Sequence, residues 1–421
     1  MIYRNLSVSR RIGSFARSEM GNCFDACSGE RTLDSPIPSC DVQLVWSLGL
    51  SGQFLDCDPS EDKHDCLGGP ELSALYAGTA VIGAGTFGKA IDAVFKPSNT
   101  RVVLKTVLKR ADSTLGKEYI ENFVTRDNVF TLLLEISTPE RAHENMVRYV
   151  DVLLCTSHIC VVMEPLVGPE LFEWLDVAWS QMSEEKLRDL MKQMLAAIRF
   201  THENGLIHRD VKITAFRFRT DHAAAPLVLF DYGLCCVSAS APRKRAIVGT
   251  PEYIAPEMGL GVYDAKVDVW SVAVCFYAML VTAFLVEYEP SKDQRGAMIR
   301  VVTRDELERA LRKEALEYAI SPSAVACTKR LLAFEPASRP SSAEAHDLVC
   351  DDDAWRAIAV PTLNRSSSSP AVLAKGSHAQ LLRKSRMSTA RVDHAHPERS
   401  ASDEEFIFEQ ISAFKHRTCM R

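Results

Sequence analysis

Three short apolar segments stand early in the chain, Thr79–Ile82, Ala90–Phe95 and Val102–Leu108. Gly, Pro and Asn separate them, the punctuation expected between antiparallel strands. After about Leu171 the pattern becomes helical. Leu187, Leu190, Met191, Met194 and Leu195 recur at steps of three and four, which puts them on one face of a helix. The pattern predicts an α+β body over residues 73–356, a small antiparallel β lobe followed by a larger helical lobe. From Val269 to Val286 almost every residue is apolar, nearly enough to cross a bilayer. Asp268 just before this run and the motifs around it favour a helix buried on all sides within the large lobe.

The flanks have a different character. Residues 1–72 show no sustained periodicity and are rich in Ser, Gly, Cys and Asp, which predicts an irregular N-terminal extension. Residues 357–421 contain Ser366–Pro370 and the basic Arg383–Arg386, and are expected to form a mostly disordered Ser/Arg-rich tail. Its end, Asp403–Phe408, could form one short amphipathic helix. The first eighteen residues carry Arg4, Arg10, Arg11 and Arg17 without an acidic residue, a weak likeness to an organellar transit peptide. Translation from Met20 would expose Gly21 for myristoylation, with Cys23 and Cys27 open to palmitoylation; membrane attachment is expected only in that case. Asp25 stands where Ser or Thr is preferred, so an ordinary extension and a cytoplasmic location are the default expectation.

Composition adds exclusions. A formal net charge of −6 gives no basic field, so nucleic acid is not an expected partner. The 13 cysteines, among them Cys155, Cys160 and Cys275 in apolar segments, have no regular spacing and read as reduced, buried thiols. Cys57, His64 and Cys66 lack a fourth ligand at a finger-like spacing, so a zinc site is not expected.

The chemistry begins at Gly83-Ala84-Gly85-Thr86-Phe87-Gly88. Glycines at this spacing also occur in dinucleotide-binding turns, which open a helix. Here Ala90–Phe95 alternates and Lys96-Pro97 ends it, which suits a turn between two strands whose backbone could cover phosphates. Lys105 closes the apolar strand Val102–Leu104 and becomes a candidate grip on the α- and β-phosphates. Further along stand His208-Arg209-Asp210-Val211-Lys212, Asp231-Tyr232-Gly233 and Gly249–Glu257 (GTPEYIAPE).

In this order and separation the motifs resemble the eukaryotic protein kinase superfamily, calcium/calmodulin-dependent-like or related, with a degenerate catalytic loop, and Lys212 with Gly249-Thr250 resembles its Ser/Thr branch. The resemblance implies the bilobal kinase fold and an ATP-dependent transfer of the γ-phosphoryl group to Ser/Thr hydroxyls. It implies that Asp210 accepts the hydroxyl proton, Lys212 neutralises the moving phosphoryl group and Asp231 holds Mg2+. Gly83, Gly85, Gly88, Ala90, Val103 and Lys105 would line the nucleotide site. Met163, as gatekeeper, with Glu164 and Leu166 would meet adenine. Asp268 would brace the catalytic loop, and Arg339 would pair with Glu257. Glu170 matches an acidic position that implies a basic peptide substrate, though an exposed glutamate at a helix start is the more ordinary reading. The partner implied is a protein substrate, and the chain is expected to be a monomer.

The match breaks at several positions. Ala215 stands where the family has the asparagine that holds a second metal, so one Mg2+ site is expected and the second is in doubt. Arg217 replaces the leucine under adenine, and its guanidinium must swing out or meet nucleotide. Ala90 and Val103 exchange the usual valine and alanine at little change of volume. The acidic helix partner of Lys105 is undetermined: Asp127 and Glu135 are candidates, but the strictest register selects Asn128. Ala246-Ile247-Val248 lacks an activation-loop hydroxyl, leaving Ser238 and Ser240. The alternative expectation is therefore a pseudokinase, a binding or scaffolding module of the same fold.

Overall fold

The computed structural model describes residues 70–358, apart from 86–87, 109–128, 155–157, 179–181, 239–241, 246, 282–283, 286–301 and 318–319. Expectations for the N-terminal extension, the Met20 start, Cys57, His64 and Cys66, and the C-terminal tail lie outside the described residues.

Helix α1 (Pro70–Leu75) leads into β1 (Tyr76–Gly85), β2 (Gly88–Phe95) and β3 (Thr100–Leu108). After α2 (Val129–Ile136) come β4 (Tyr149–Leu154) and β5 (His158–Met163). The five strands form one sheet in the order β1-β2-β3-β5-β4, with every pair antiparallel. The alternation seen in the sequence now has a cause. Ile91, Ala93, Phe95, Val102, Leu104, Cys160 and Val162 turn to one face and close on Leu72, Tyr76, Val150 and Leu153 as a small core. Val152, Ile159, Val161 and Met163 turn the other way, into the main core with α2.

The large lobe starts with α3 (Leu171–Ala178) and the long α4 (Glu184–Glu203). Ser183 caps α4, its hydroxyl accepting from the Lys186 N–H at 3.2 Å, with Glu184 and Glu185 favourably placed at the positive end of the helix. Gly205, at φ +76°, ends it. The face that the sequence singled out, Leu187, Leu190, Met191, Met194 and Leu195, is buried. Short strands follow: β6 (Leu206–Ile207), β7 (Phe216–Phe218), β8 (Leu227–Leu229), β9 (Cys236–Val237), β10 (Arg243–Lys244) and β11 (Val262–Tyr263). They pair β6–β9, β7–β8 and β10–β11.

Helix α5 (Lys266–Val281) is the apolar run, and every residue from Val267 to Val281 is buried. It packs against α4 and α7 (Pro322–Leu331), which explains its apolar character all round. Among the described residues no helix is long and apolar enough to cross a membrane. The lobe is completed by α6 (Arg304–Glu317), α8 (Ser342–Cys350) and α9 (Asp352–Ala357). Cys160, Cys235, Cys236, Cys275 and Cys327 are buried thiols, as the scattered spacing led one to expect.

Candidate active site

The sheet register builds the upper wall of a cleft. Ala90 sits opposite both Gly83 and Lys105, while Val103 sits opposite Met163 and Lys105 opposite Val161. Ala90, Val103, Lys105 and Met163 therefore share one face of the sheet, since side chains alternate faces along a strand. Gly85 and Gly88 pair with each other at the tip of the β1–β2 hairpin. Beyond Met163 the side chain of Glu164 turns inward. Its carboxylate accepts from Arg219 Nη1 at 2.6 Å to both oxygens, and from the Arg148 backbone N–H and Nε at 3.0 Å each. Only its backbone is left to meet a ligand. Leu166, three residues beyond Met163, is half-buried. At Gly168 a Cβ would stand 2.4 Å from the Thr220 carbonyl oxygen and 2.6 Å from that of Phe218, so the segment closes here only with glycine.

The lower wall is held from beneath by Asp268, at the start of α5. Its carboxylate accepts from the backbone N–H of His208 at 2.7 Å and of Arg209 at 2.8 Å, and its Oδ2 lies 2.9 Å from His202 Nε2. Burial alone would raise its pKa; the hydrogen bond and charge of His202 and the contact with His208 outweigh this and hold it low. Arg209 takes φ +69°, a conformation rare for a side-chain-bearing residue. Gly249, at φ +109°, passes so close that a Cβ would stand 2.6 Å from the Arg209 carbonyl oxygen.

Asp210 projects from this braced turn. Its Oδ1 accepts from the Thr250 N–H at 2.9 Å and the Thr250 hydroxyl at 2.6 Å. Its Oδ2 accepts from Lys212 Nζ at 2.6 Å, and Lys212 also donates to Thr250 Oγ1 at 3.0 Å. Burial disfavours the Lys212 cation, but the charges of Asp210 and Asp231 prevail and raise its pKa, so it stays protonated. The resulting triangle fixes both oxygens of Asp210.

Asp231 follows at φ +64° and pairs with Lys105, joining the two lobes. Burial opposes its charge, yet Lys105 and Lys212 hold the carboxyl well below the usual carboxylate range. Gly233 leaves room beside the pair, since a Cβ there would lie 3.2 Å from Asp231 Oδ1. Between them Tyr232 is inserted into the core. Its ring meets His208 and Tyr149 edge-on at 4.6 and 6.0 Å, and its hydroxyl lies 2.8 Å from Thr201 Oγ1.

The undetermined positions now have locations. Glu135 is exposed on α2, while Val129, Phe130, Leu133 and Ile136 take its buried face. No acidic residue of the described α2 reaches Lys105; Asp127 and Asn128 lie outside the described residues. Ala215 is 1% exposed at the end of the 3-10 turn Ile213–Ala215 and offers no ligand atom. Arg217 swings out: its Nε donates to the Gly168 carbonyl at 2.6 Å and Nη1 lies 3.7 Å from Glu170 Oε1. Arg339 meets Glu257 through two nitrogens at 2.5 and 3.1 Å. Ser238 is half-buried, and Ser240 lies outside the described residues.

Sequence reasoning did not find Thr250 as the partner of Asp210, or Arg148 and Arg219 as partners of Glu164. Thr250 carried a signal, since it lies in a quoted motif. The arginines carried none.

A Mg2+ ion is a hard cation that favours carboxylate oxygens. Asp231, held ionised at the cleft, fits that requirement, and Ala215 does not. The residues present thus suit one metal position.

Taken together, the two-lobed α+β architecture and the cleft between Lys105 and Asp210 are those of a phosphoryl-transfer fold. The family model of the protein kinase domain matches residues 76–350, and the chain belongs to the eukaryotic Ser/Thr protein kinase superfamily. It is 32% identical to calcium/calmodulin-dependent protein kinase type IV of Mus musculus over 181 residues, covering 43% of this chain and 36% of that protein. It is 32% identical to the serine/threonine-protein kinase SRK2E of Arabidopsis thaliana over 275 residues, covering 62% of this chain and 67% of that protein. SRK2B of Arabidopsis thaliana is 33% identical over 220 residues, with 51% of this chain and 55% of that protein covered. The chain therefore spans about a third of the length of the type IV kinase that it matches.

Proposed function

We propose that the chain is an ATP-dependent protein Ser/Thr kinase that transfers the γ-phosphoryl group to a substrate hydroxyl, using one metal site. The observation that carries this reading is the fixed carboxylate of Asp210, with Lys212 against it and the Lys105–Asp231 pair across the cleft. Phosphoryl transfer asks for placement and charge neutralisation more than covalent chemistry. Asp210 orients the acceptor hydroxyl and takes its proton as the new O–P bond forms. Lys212 balances charge on the moving group, and Lys105 on the α- and β-phosphates. The glycine hairpin covers the phosphates, and Ala90, Val103, Met163 and Leu166 enclose the base, with the backbone of Glu164. Mg2+ would be held by Asp231, and when bound it would supply a Lewis acid that draws negative charge from phosphate oxygens. The family match over residues 76–350 supports a kinase domain proposed for 73–356, and the buried thiols support a reducing, cytoplasmic setting.

A second reading, a pseudokinase acting as a binding or scaffolding module, is favoured by Ala215 and by the apolar inner face of α2. Transfer of radiolabelled γ-phosphate to Ser-containing peptides separates the two. We expect transfer by the wild type and a loss of at least about a hundredfold in Asp210→Asn. Equal labelling by both would reject the proposed kinase, and nucleotide binding without transfer would select the second reading.

A further inference from the structure

Resting on the one-metal reading of Asp231, we infer that Thr201 and Tyr232 are positioning residues. The bond between their hydroxyls latches the Asp231–Gly233 turn onto α4 and keeps the Asp231 carboxylate facing Lys105 across the cleft. The direction of that bond follows from a second one. The single proton of the Thr201 hydroxyl goes to the Ala197 carbonyl, 2.9 Å away. The Thr201 oxygen is therefore the acceptor, and the Tyr232 hydroxyl at 2.8 Å is the donor. Both side chains are closed off from water, Thr201 fully and Tyr232 to 1% exposure. A phenol so placed has no solvent to turn to, so leaving Thr201 costs it a bond without replacement.

What the latch holds is a strained residue. Asp231 takes φ +64°, the left-handed region that a residue with a Cβ disfavours. Such a conformation persists where its neighbours over-determine it. Before it, Phe230 donates its N–H to the Ala215 carbonyl at 2.9 Å. After it, the Tyr232 carbonyl accepts from the Cys235 N–H at 3.1 Å, and the Tyr232 ring stands edge-on to His208 at 4.6 Å. Edge-on packing sets the plane of the ring, and the hydroxyl at its tip sets its depth in the core. A phenylalanine would fill the same space without that stop. Thr201 and Tyr232 thus act on the metal position through Asp231, not by touching it.

The test is nucleotide affinity of the full chain, read with a fluorescent ribose-labelled ATP in Mg2+ and in EDTA, so that it does not depend on turnover. The quantity compared is the ratio of the two affinities, because misfolded chain lowers the signal and not the ratio. Tyr232→Phe should reduce the gain that Mg2+ gives by about fivefold, while the affinity in EDTA should not fall. Thr201→Val keeps the shape but strands the Tyr232 hydroxyl without an acceptor, and should reduce the gain at least as far. Thr201→Ser, which keeps the acceptor, should match the wild type within about twofold. With Thr201→Val and Tyr232→Phe combined, the loss should be no larger than in Thr201→Val alone, since the two hydroxyls act as one unit. A ratio that neither single variant changes would overturn the inference. So would losses that multiply in the double variant, or a Thr201→Ser as impaired as Thr201→Val; each of these leaves Asp231 as the metal residue. A wild type that binds nucleotide no better in Mg2+ than in EDTA would instead overturn the one-metal reading, and this inference with it.

Discussion

At the scale of single residues, Ala215 sets the most specific expectation. Its methyl group is buried at the edge of the cleft, and its carbonyl accepts from the Phe230 N–H at 2.9 Å, so the backbone there is already fixed. Replacing Ala215 with Asn adds a metal-seeking oxygen to a positioned main chain. Turnover measured against Mg2+ concentration should rise on the order of tenfold, with half-saturation at lower Mg2+. Unchanged curves would mean that the missing ligand does not limit the wild type. The same scale shows why some of the site was legible in the sequence. Asp210, Lys212 and Asp231 are read directly because their chemistry needs particular side chains at short, fixed spacings. The bonds of Glu164 to Arg219 and of Lys105 to Asp231 span 55 and 126 residues, and nothing local announces them. Arg217 lies between these cases. Its position showed that it had to leave the usual place of a leucine, but only the bridge to Glu170 showed where it went.

At the scale of elements, helix α5 was legible because burial on every side leaves an unbroken apolar run, and only its flanking residues told it from a membrane span. Its contact with the segment after Gly249 was half legible. Arg339 is fully buried and its guanidinium joins Glu257, the Ala333 carbonyl and the Lys266 carbonyl, pinning the start of α5 to the Gly249–Glu257 segment. Removing one partner of such a pair strands a charge in the core. Arg339→Ala should therefore cost ~3–5 kcal/mol in urea denaturation. The paired replacement Arg339→Met with Glu257→Gln, which leaves no charge behind, should recover most of that loss. If the single variant lost less than about 1 kcal/mol, the ion pair would not be what holds these elements together. Helix α2 marks the limit of legibility. Its apolar spacing gives the helix, but a helix face says nothing about which acid, if any, reaches a lysine on β3.

For the molecule as a whole, the cleft and the core share titrating groups, so stability and site geometry should respond together to acid. His208 is fully buried, with Nδ1 3.3 Å from the Asp210 N–H and Nε2 3.3 Å from the Phe230 carbonyl. This arrangement assigns the proton to Nε2 and requires a neutral ring, since a proton on Nδ1 would remove the acceptor for Asp210. Burial lowers the pKa of His208 below its ordinary 6.5, and burial lowers that of His143 likewise. For a histidine whose folded pKa is depressed, the unfolded chain binds more protons between the two values. Its contribution is then complete above about pH 6.5 and is lost as the pH falls towards the folded value. Asp231 and Asp268 are depressed carboxylates, so their contribution is complete above about pH 4 and is lost only in stronger acid. Melting temperature should accordingly fall in two stages, the first starting near pH 6.5 and the second below about 4. His208→Gln should flatten the first stage without abolishing it, because His143 remains, and should weaken the second only in part, because His202 still holds Asp268 and the lysines still hold Asp231. A wild-type melting temperature that stays level down to pH 5 would show that His208 is not held neutral. The link from the buried ring to the placement of Asp210 would then fail as well.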